Sequence, residues 1–92
     1  MNMNSVVSHD WWVYIVECAD GTFYTGVARD VDRRVEEHNH NTVAARYTRA
    51  RRPVRLVYKE GARDRSWAQK RESEIKRMTR LQKILLIDGN SV

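Results

Sequence analysis

Two tyrosines, an arginine and a histidine follow one another closely near the start of this sequence. Tyr14 and Tyr24 stand ten residues apart in two apolar runs, and Arg34 and His38 come soon afterwards, four residues apart. Residues at that spacing share one side of a helix. Phenol and imidazole groups transfer protons, and a guanidinium group stabilises negative charge. These are the side chains that handling a phosphodiester requires.

Each of these residues also has an ordinary structural explanation. A tyrosine in a strand usually buries its ring and leaves its hydroxyl in water, a helix arginine often lies along the surface, and a single histidine on an apolar helix face is commonly a packing residue. A catalytic tyrosine needs positive charge or a metal nearby to lower its pKa of about 10, and Arg34 can supply that charge. Gly26 leaves room for a ligand or another strand to approach closely.

Glu72 is the acidic residue best suited to hold a metal ion. It shares the expected inner face of a predicted helix with Ala68 and Ile75, where a carboxylate is costly unless it is paired or bound to a metal. It can form an ion pair with Lys76 one turn further on. It can also be the single carboxylate ligand of Mg²⁺ (or Mn²⁺), an ion that keeps most of its waters. The metal explanation is favoured, with Glu74 as a rival ligand.

A basic segment follows the first predicted helix. Five arginines surround a tyrosine between residues 45 and 55, with no acidic residue among them. Such a run is often only a solvated surface, but arginine binds phosphates and tyrosine stacks on bases. We therefore predict nucleic-acid contacts from Arg46, Tyr47, Arg49, Arg51 and Arg52.

The pattern of apolar residues predicts the elements that position these side chains. Aromatic and β-branched residues indicate strands, Asp20-Gly21 indicates a hairpin turn, and Asp30 can cap the first helix. The order is β-β-α-β-α-α, an α+β or mixed layer. The predicted strands cover 11–18, 23–28 and 54–60, and the predicted helices cover 31–39, 67–78 and 80–87, with a loop over 40–50.

Finer features of these elements are predicted as well. The third strand alternates Val54, Leu56 and Tyr58 with more polar positions, which is typical of a sheet with one wet face. Ser66 with Gln69, and Thr79 with Gln82, are capping boxes for the last two helices. In the last helix the apolar stripe comprises Leu81, Ile84 and Leu85, and Gly89 and Asn90 end the helix.

Composition limits the class of protein. Ninety-two residues form one domain at most, and a net charge of +5 with a pI of about 9.8 favours a polyanionic partner, either nucleic acid or an anionic membrane surface. Of the two, we expect nucleic acid and no membrane partner. Cys18 is the only cysteine, which excludes an intramolecular disulfide and fits a cytoplasmic protein. Residues 1–10 do not resemble a signal peptide. We expect a disordered tail over 1–10, a domain over 11–87 and a short tail over 88–92.

The motifs together resemble the GIY-YIG nuclease superfamily, over Trp11 to about Leu86. Val13-Tyr14-Ile15 matches the first half of its signature and Tyr24-Thr25-Gly26 the second. Arg34, His38 and Glu72 match the helix arginine, its frequent partner and the metal-binding glutamate. Residues 47–53 resemble the small standalone bacterial branch of the superfamily. Trp12 and Thr25 depart from the signature glycine and isoleucine.

The resemblance implies a small three-stranded antiparallel sheet flanked by helices. It also implies a metal-dependent endonuclease, with one divalent ion on Glu72, Tyr14 as general base assisted by Tyr24 or His38, and Arg34 stabilising the transition state. DNA is the expected substrate, with RNA left open, and a structure-specific role in repair or recombination is a further expectation. Relatives often carry a separate DNA-binding domain, so either affinity is low or a protein partner supplies targeting.

Two other classes of function remain as alternatives. One is a non-catalytic nucleic-acid-binding module with the same fold, and the other is a small interaction domain whose basic face binds an acidic partner. The joint presence of the two tyrosines, Arg34, His38 and Glu72 favours the nuclease. A module that only binds nucleic acid has no need of a carboxylate within a basic site.

Overall fold

The computed structural model describes residues 9–40 and 45–89, which form a three-stranded sheet with helices on both faces. The strands are β1 (Trp11–Glu17), β2 (Phe23–Ala28) and β3 (Arg55–Ala62). The helices are α1 (Val31–His40), α2 (Arg46–Arg49), α3 (Arg65–Lys76) and α4 (Arg80–Gly89). None of the helices in this part of the chain has the length and apolar character needed to cross a bilayer.

The sheet is antiparallel throughout, with β1 in the centre and the order β2-β1-β3. The α+β fold with a small antiparallel sheet, expected from the resemblance, is therefore confirmed. The hairpin between β1 and β2 turns at Gly21, whose φ of 84° suits glycine. The Asp20 carboxylate fixes the turn by accepting hydrogen bonds from the backbone and the hydroxyl of Thr22.

Alternation along β1 divides the core into two layers. Val13 and Ile15 pack with Ala68 and Ile75 of α3 on one face of the sheet, where α4 adds Leu86 and Ile87. On the other face, Tyr14, Val16 and Cys18 pack with Val31 and Val35 of α1. The central strand therefore carries Tyr14 on the same face as the helix that contains Arg34 and His38.

A bulge changes the predicted pattern of β3. Ile15 pairs with Tyr58 but the next residue, Val16, pairs with Leu56, so one residue of β3 has no direct partner. Leu56 consequently packs on the α1 side of the sheet while Tyr58 is buried on the α3 side. The strict alternation that the sequence predicted for Leu56 and Tyr58 is wrong, because an extra residue in one strand shifts the facing of those after it. β3 also runs two residues further than predicted.

The helix ends differ in part from the prediction. The cap of α3 is Asp64, whose carboxylate accepts from the Trp67 amide, and Ser66 lies inside the helix. The capping box predicted at Ser66 is therefore wrong, since an aspartate two residues earlier already satisfies the first turn. At α4, Thr79 and Gln82 form the reciprocal pair of hydrogen bonds that the sequence predicted.

Two further predictions are corrected. The sequence places Leu81 and Leu85 in the apolar stripe of α4, but in the structure their side chains are 65% and 61% exposed. Leu86 and Ile87 pack against the core instead, and Ile84 lines a cavity. The loop predicted over 40–50 contains α2, one turn of helix too short to show a periodic pattern. The tail predicted over 1–10 falls almost wholly outside the described residues, as do Asn90 to Val92.

Candidate active site

Tyr14 and Gly26 form a matched pair across the hairpin. They are direct partners in the antiparallel register of β1 and β2, and Tyr14 is only 1% exposed. A β-carbon on Gly26 would lie 2.5 Å from the Tyr14 hydroxyl oxygen and 2.6 Å from the ring carbon that carries it. The missing side chain at position 26 therefore makes room for the Tyr14 phenol.

His38 lies between the two tyrosines and is completely buried. Its Nε2 atom is 2.8 Å from the Tyr14 hydroxyl. The Tyr24 ring meets the imidazole edge-on, with 5.3 Å between centroids. On the far side of the ring, Nδ1 is 2.8 Å from Oγ1 of Thr48. The imidazole is thus held by hydrogen bonds at both nitrogens, which fixes its orientation beside Tyr14.

Arg34 adds positive charge to the same place. It lies one turn before His38 on α1, and its guanidinium donates a 2.9 Å hydrogen bond to the Glu37 carboxylate. The charge of Arg34 and its hydrogen bonding also act on the Tyr14 hydroxyl, where both favour ionisation of the phenol. The arginine is about three-quarters buried, with 28% of its side chain exposed. A side chain in that position can reach both the phenol and a ligand in solvent.

Burial opposes ionisation of both proton-carrying groups. Burial is the main cause that raises the pKa of Tyr14 to about 12, with the neighbouring Tyr24 adding to the effect and Arg34 opposing it. Burial, helped by the charge of Arg34, lowers the pKa of His38 to about 4. At neutral pH the phenol is therefore protonated and the imidazole is uncharged.

Glu72 lies in α3 with 22% of its side chain exposed, and Lys76 forms an ion pair with it at 3.3 Å. Helix α3 packs on the opposite face of the sheet from α1, yet the carboxylate is close enough for its charge to oppose ionisation of Tyr14. The rival carboxylate, Glu74, is more exposed and is paired with Arg71. Of the two, Glu72 is the one whose charge acts on Tyr14.

The residues present suit a hydrated divalent ion rather than a fully protein-bound one. Among residues 9–40 and 45–89 no group of three or more histidine, cysteine, aspartate or glutamate side chains is arranged to hold a metal. A closed zinc site needs about four such ligands. Mg²⁺ binds through one or two carboxylates and keeps several waters. Glu72, partly exposed and near Tyr14, fits that donor set.

Part of the basic segment is built into the site. The Tyr47 ring stacks on Tyr24 with 6.1 Å between centroids, and the Arg51 guanidinium lies 3.8 Å above Tyr47. Arg51 also forms an ion pair with Asp20 at 3.0 Å. Arg52 donates to the backbone carbonyl of His38. Arg51 and Arg52 thus tie the segment to α1 and the hairpin, which the sequence did not indicate.

The remaining members of the segment face solvent. Arg46 and Arg49 are exposed, and Tyr47 is 37% exposed although Tyr24 stacks on its ring and the Arg51 guanidinium lies over it. Exposed arginines beside an aromatic ring are well placed to meet a phosphate backbone and a base. The nucleic-acid role predicted for these residues stays a prediction.

Four of the residues singled out for chemistry act on the hydroxyl group of the fifth, Tyr14. Tyr24, Arg34 and Glu72 act on Tyr14 through their charges, and His38 contacts it directly. A cavity of about 380 Å³ lies instead beside Cys18 and Pro53, and none of the five lines it. The expectation that they share a concave surface, like their catalytic roles, therefore stays a prediction.

Two residues of this cluster escaped the sequence analysis. Thr48 is completely buried against His38, and Glu37 holds Arg34. Glu37 carried a signal, since it follows Arg34 by three residues on the same helix side. Thr48 carried none, because it stands within a run of arginines and its contact with His38 depends on how that segment folds back.

Comparison with known proteins identifies the family of this chain. The family model described as the GIY-YIG catalytic domain matches residues 10–84. The chain therefore belongs to the GIY-YIG family, a superfamily of nucleases that act on nucleic acid.

The chain is also similar to proteins named UPF0213. One, from Desulfotalea psychrophila, is 56% identical over 80 residues, which are 87% of this chain and 73% of the relative. One from Staphylococcus aureus is 55% identical over 76 residues, covering 83% of this chain and 92% of the relative. The solution structure of a UPF0213 protein from Bacillus halodurans matches with a TM-score of 0.55 and 41% identity, covering 85% of this chain and 82% of the other.

Proposed function

We propose that this protein is a divalent-metal-dependent endonuclease that hydrolyses phosphodiester bonds in DNA. The observation that carries the proposal is the convergence on the Tyr14 hydroxyl. The buried phenol is hydrogen-bonded to an uncharged imidazole. The charge of Arg34 lowers the pKa of this phenol, and the charge of Glu72 raises it. This combination of proton carrier, fixed positive charge and single carboxylate suits phosphodiester hydrolysis.

In the proposed reaction Tyr14 is the general base. Its phenol loses its proton and then takes one from the attacking water, with His38 or Tyr24 assisting. Because the pKa of Tyr14 is about 12 in the free protein, the phenolate would form only with further positive charge nearby, which a divalent ion would supply. Arg34 stabilises the phenolate and the negative charge that develops on the phosphate.

Glu72 would hold the divalent ion, Mg²⁺ or Mn²⁺. Such an ion supplies a Lewis acid for the scissile phosphate and stabilises the departing oxygen. Lys76 pairs with Glu72 in the free protein, so we infer that this ion pair opens when the ion and a phosphate bind. The ammonium group then remains near enough to contact the phosphate backbone.

The proposed path of the nucleic acid follows the basic segment. Arg46 and Arg49 would contact phosphates, and the exposed part of Tyr47 would contact a base, next to the Tyr24 ring on which Tyr47 stacks. The net charge of +5 attracts a polyanion along any approach. Targeting by a protein partner and a role in repair or recombination are part of this proposal.

A cleavage assay with an isosteric variant tests the proposal. End-labelled DNA and RNA, each as single strands, duplexes and branched structures, are incubated with the wild type and with Mg²⁺, Mn²⁺ or EDTA. We expect cleavage of a DNA substrate with a divalent ion and none with EDTA. Glu72→Gln should reduce the rate on the order of a hundredfold or more, the scale of losing one preorganised charge interaction.

Glu74→Gln is the matched control, since it removes an exposed carboxylate from the same helix. It should cleave at close to the wild-type rate. If the wild type binds these nucleic acids but cleaves none of them with either ion, the protein is a binding module that has the fold of a nuclease. Equal rates for both variants would place the metal on another residue.

A further inference from the structure

Thr48 makes two hydrogen bonds whose directions can be deduced. Its Oγ1 donates to the backbone carbonyl of Ala45 at 3.0 Å and lies 2.8 Å from Nδ1 of His38. A threonine hydroxyl has one proton and two lone pairs. The carbonyl of Ala45 has no proton to give, so it takes the proton of Thr48. Thr48 can then only accept from His38, which places a proton on Nδ1.

The position of that proton decides what the other nitrogen does. Neutral imidazole carries one proton, and the hydrogen bond at one nitrogen sets the role of the other. With Nδ1 protonated, Nε2 has a free lone pair, and it lies 2.8 Å from the Tyr14 hydroxyl. The phenol must therefore donate to Nε2. The chain of donors runs from Tyr14 to His38 and from His38 through Thr48 to Ala45.

The surroundings of Thr48 hold its hydroxyl group in a fixed position. Thr48 is completely buried, although it stands in a one-turn helix between two exposed arginines. Arg52 donates to the backbone carbonyl of His38, and Tyr47 packs on Tyr24. The segment is thus held against both α1 and β2, which keeps the Thr48 hydroxyl aimed at Nδ1.

We propose that Thr48 is a positioning residue that fixes the tautomer of His38, so that Nε2 can accept the proton of Tyr14. This inference rests on the proposed function for its catalytic meaning. As Tyr14 ionises, its O–H bond breaks and an N–H bond forms at Nε2, which leaves a phenolate beside Arg34. The imidazolium keeps its Nδ1–H bond to Thr48. Tyr14 then takes a proton from the attacking water, and His38 returns its extra proton through solvent to the leaving oxygen.

Nitrogen NMR tests the tautomer without any activity. In ¹⁵N-histidine-labelled protein at pH 7.5, the His38 signals are assigned with His9→Gln and His40→Gln variants. We expect Nδ1 protonated and Nε2 unprotonated in the wild type. Thr48→Val keeps the shape but removes the acceptor, so His38 should move its proton to Nε2, which can then donate to the Tyr14 oxygen. Thr48→Ser keeps a hydroxyl and should retain the wild-type pattern.

Single-turnover cleavage supplies the second readout. With enzyme in excess, Thr48→Val should lower the maximal single-turnover rate on the order of tenfold or more, as expected when a proton-transferring histidine has the wrong tautomer. The enzyme concentration that gives half the maximal rate should change little. Thr48→Ser keeps the hydroxyl and loses only the methyl group, so it should keep most of the wild-type rate. If Thr48 mattered only for packing, Thr48→Ser would lose activity as well. If Thr48→Val does not fold, the wild-type and Thr48→Ser spectra still test the tautomer.

The outcomes separate this inference from the proposed function. A wild-type spectrum with the proton on Nε2 overturns the role of Thr48 whether or not the protein cleaves DNA. The role of Thr48 is also overturned if Thr48→Val keeps both the His38 tautomer and the cleavage rate of the wild type. If the spectra behave as expected and no substrate is ever cleaved, Thr48 sets the tautomer and it is the proposed nuclease activity that fails.

Discussion

At the scale of single residues, the site depends on a phenol and an imidazole that are both held uncharged. Burial disfavours the charged form of each group, and it acts in opposite directions on the two pKa values, which become about 12 for Tyr14 and about 4 for His38. The fixed charge of Arg34 favours the phenolate but opposes the imidazolium. Both groups are therefore uncharged in the free protein, and the proposed reaction needs further positive charge at the site, which a divalent ion would supply.

The uncharged state of His38 should make folding stability depend on pH. An unperturbed histidine has a pKa of 6.5, so His38 in the unfolded chain becomes protonated below about pH 6.5. In the folded protein the same residue stays unprotonated until about pH 4. The unfolded state then binds more protons, and the free energy of unfolding falls as pH drops from about 6.5 to 4, by at most about 3 kcal/mol.

Urea unfolding at a series of pH values measures this effect. The difference between the wild type and His38→Gln isolates the contribution of this residue, since the other titrating groups are common to both. We expect the wild type to lose stability more steeply than His38→Gln between pH 6.5 and 4, and the two curves to run parallel above pH 7. Parallel curves over the whole range would mean that His38 is protonated as easily in the folded protein as in the unfolded chain.

At the scale of elements, the hairpin and α1 supply the geometry. The register of β1 and β2 puts Tyr14 opposite Gly26, and the turn of α1 puts Arg34 and His38 on the same side of the sheet as Tyr14. Neither element alone brings the groups together. The hairpin register is fixed by the Asp20-Gly21 turn.

Replacement of Gly26 by alanine tests this dependence. The new β-carbon would lie 2.5 Å from the Tyr14 hydroxyl oxygen, so the phenol must move away from His38. We expect the cleavage rate to fall on the order of a hundredfold while nucleic-acid binding is kept, since the basic segment is unchanged. Gly89→Ala is the control, because nothing lies within 4 Å of its β-carbon. An unchanged rate in Gly26→Ala would mean that the position of Tyr14 does not limit cleavage.

The elements show how far the sequence could go. Local signals predicted β2 with its observed bounds and the capping box at Thr79, because strand composition and cap spacing are local properties. The facing of Leu56 and Tyr58 could not be predicted, since it depends on a bulge in the pairing of two strands. Exposed leucines in α4 also escaped, because periodicity marks an apolar stripe but not what covers it.

The site was predictable to a similar extent. Residue types, their order and the family resemblance single out Tyr14, Tyr24, Arg34, His38 and Glu72, and in the structure the other four contact or act on the Tyr14 hydroxyl. Their catalytic roles stay predictions. The role of Thr48 and the anchoring of Arg51 and Arg52 depend on how residues 45–53 fold back on α1. Contacts between segments distant in sequence have no local pattern.

At the scale of the whole molecule, charge governs the approach of substrate. The net charge of +5 gives a general attraction for polyanions, and the exposed arginines of the basic segment concentrate it beside the site. Binding through phosphates releases counterions, so affinity should fall steeply with salt. Arg46 and Arg49 are exposed whereas Arg51 and Arg52 are half-buried, which makes Arg46 and Arg49 the better probes of binding.

The double variant Arg46→Ala/Arg49→Ala should weaken DNA binding about equally for all sequences. Each lost phosphate contact should reduce the salt slope by about one. Fluorescence anisotropy across a salt titration measures both quantities. Arg77→Ala/Lys83→Ala removes the same charge beyond the end of α3 and within α4 and serves as the control. If both double variants show the same loss, net charge alone drives binding and the basic segment has no special part.

The central claim is that the Tyr14 hydroxyl is the reacting group of a nuclease site. Its most direct test is the single-turnover cleavage rate of Tyr14→Phe on the substrate that the wild type cleaves best. This change keeps the ring over Gly26 and removes only the hydroxyl. Arg34→Ala removes the charge beside it, and Arg33→Ala is its control, since the Arg33 side chain is 77% exposed.

We expect Tyr14→Phe and Arg34→Ala each to cleave on the order of a hundredfold or more slowly than the wild type, with DNA affinity largely kept. Arg33→Ala should cleave at close to the wild-type rate. Wild-type cleavage by Tyr14→Phe, in protein free of contaminating nuclease, would contradict the account, because the proposed mechanism makes that hydroxyl the general base.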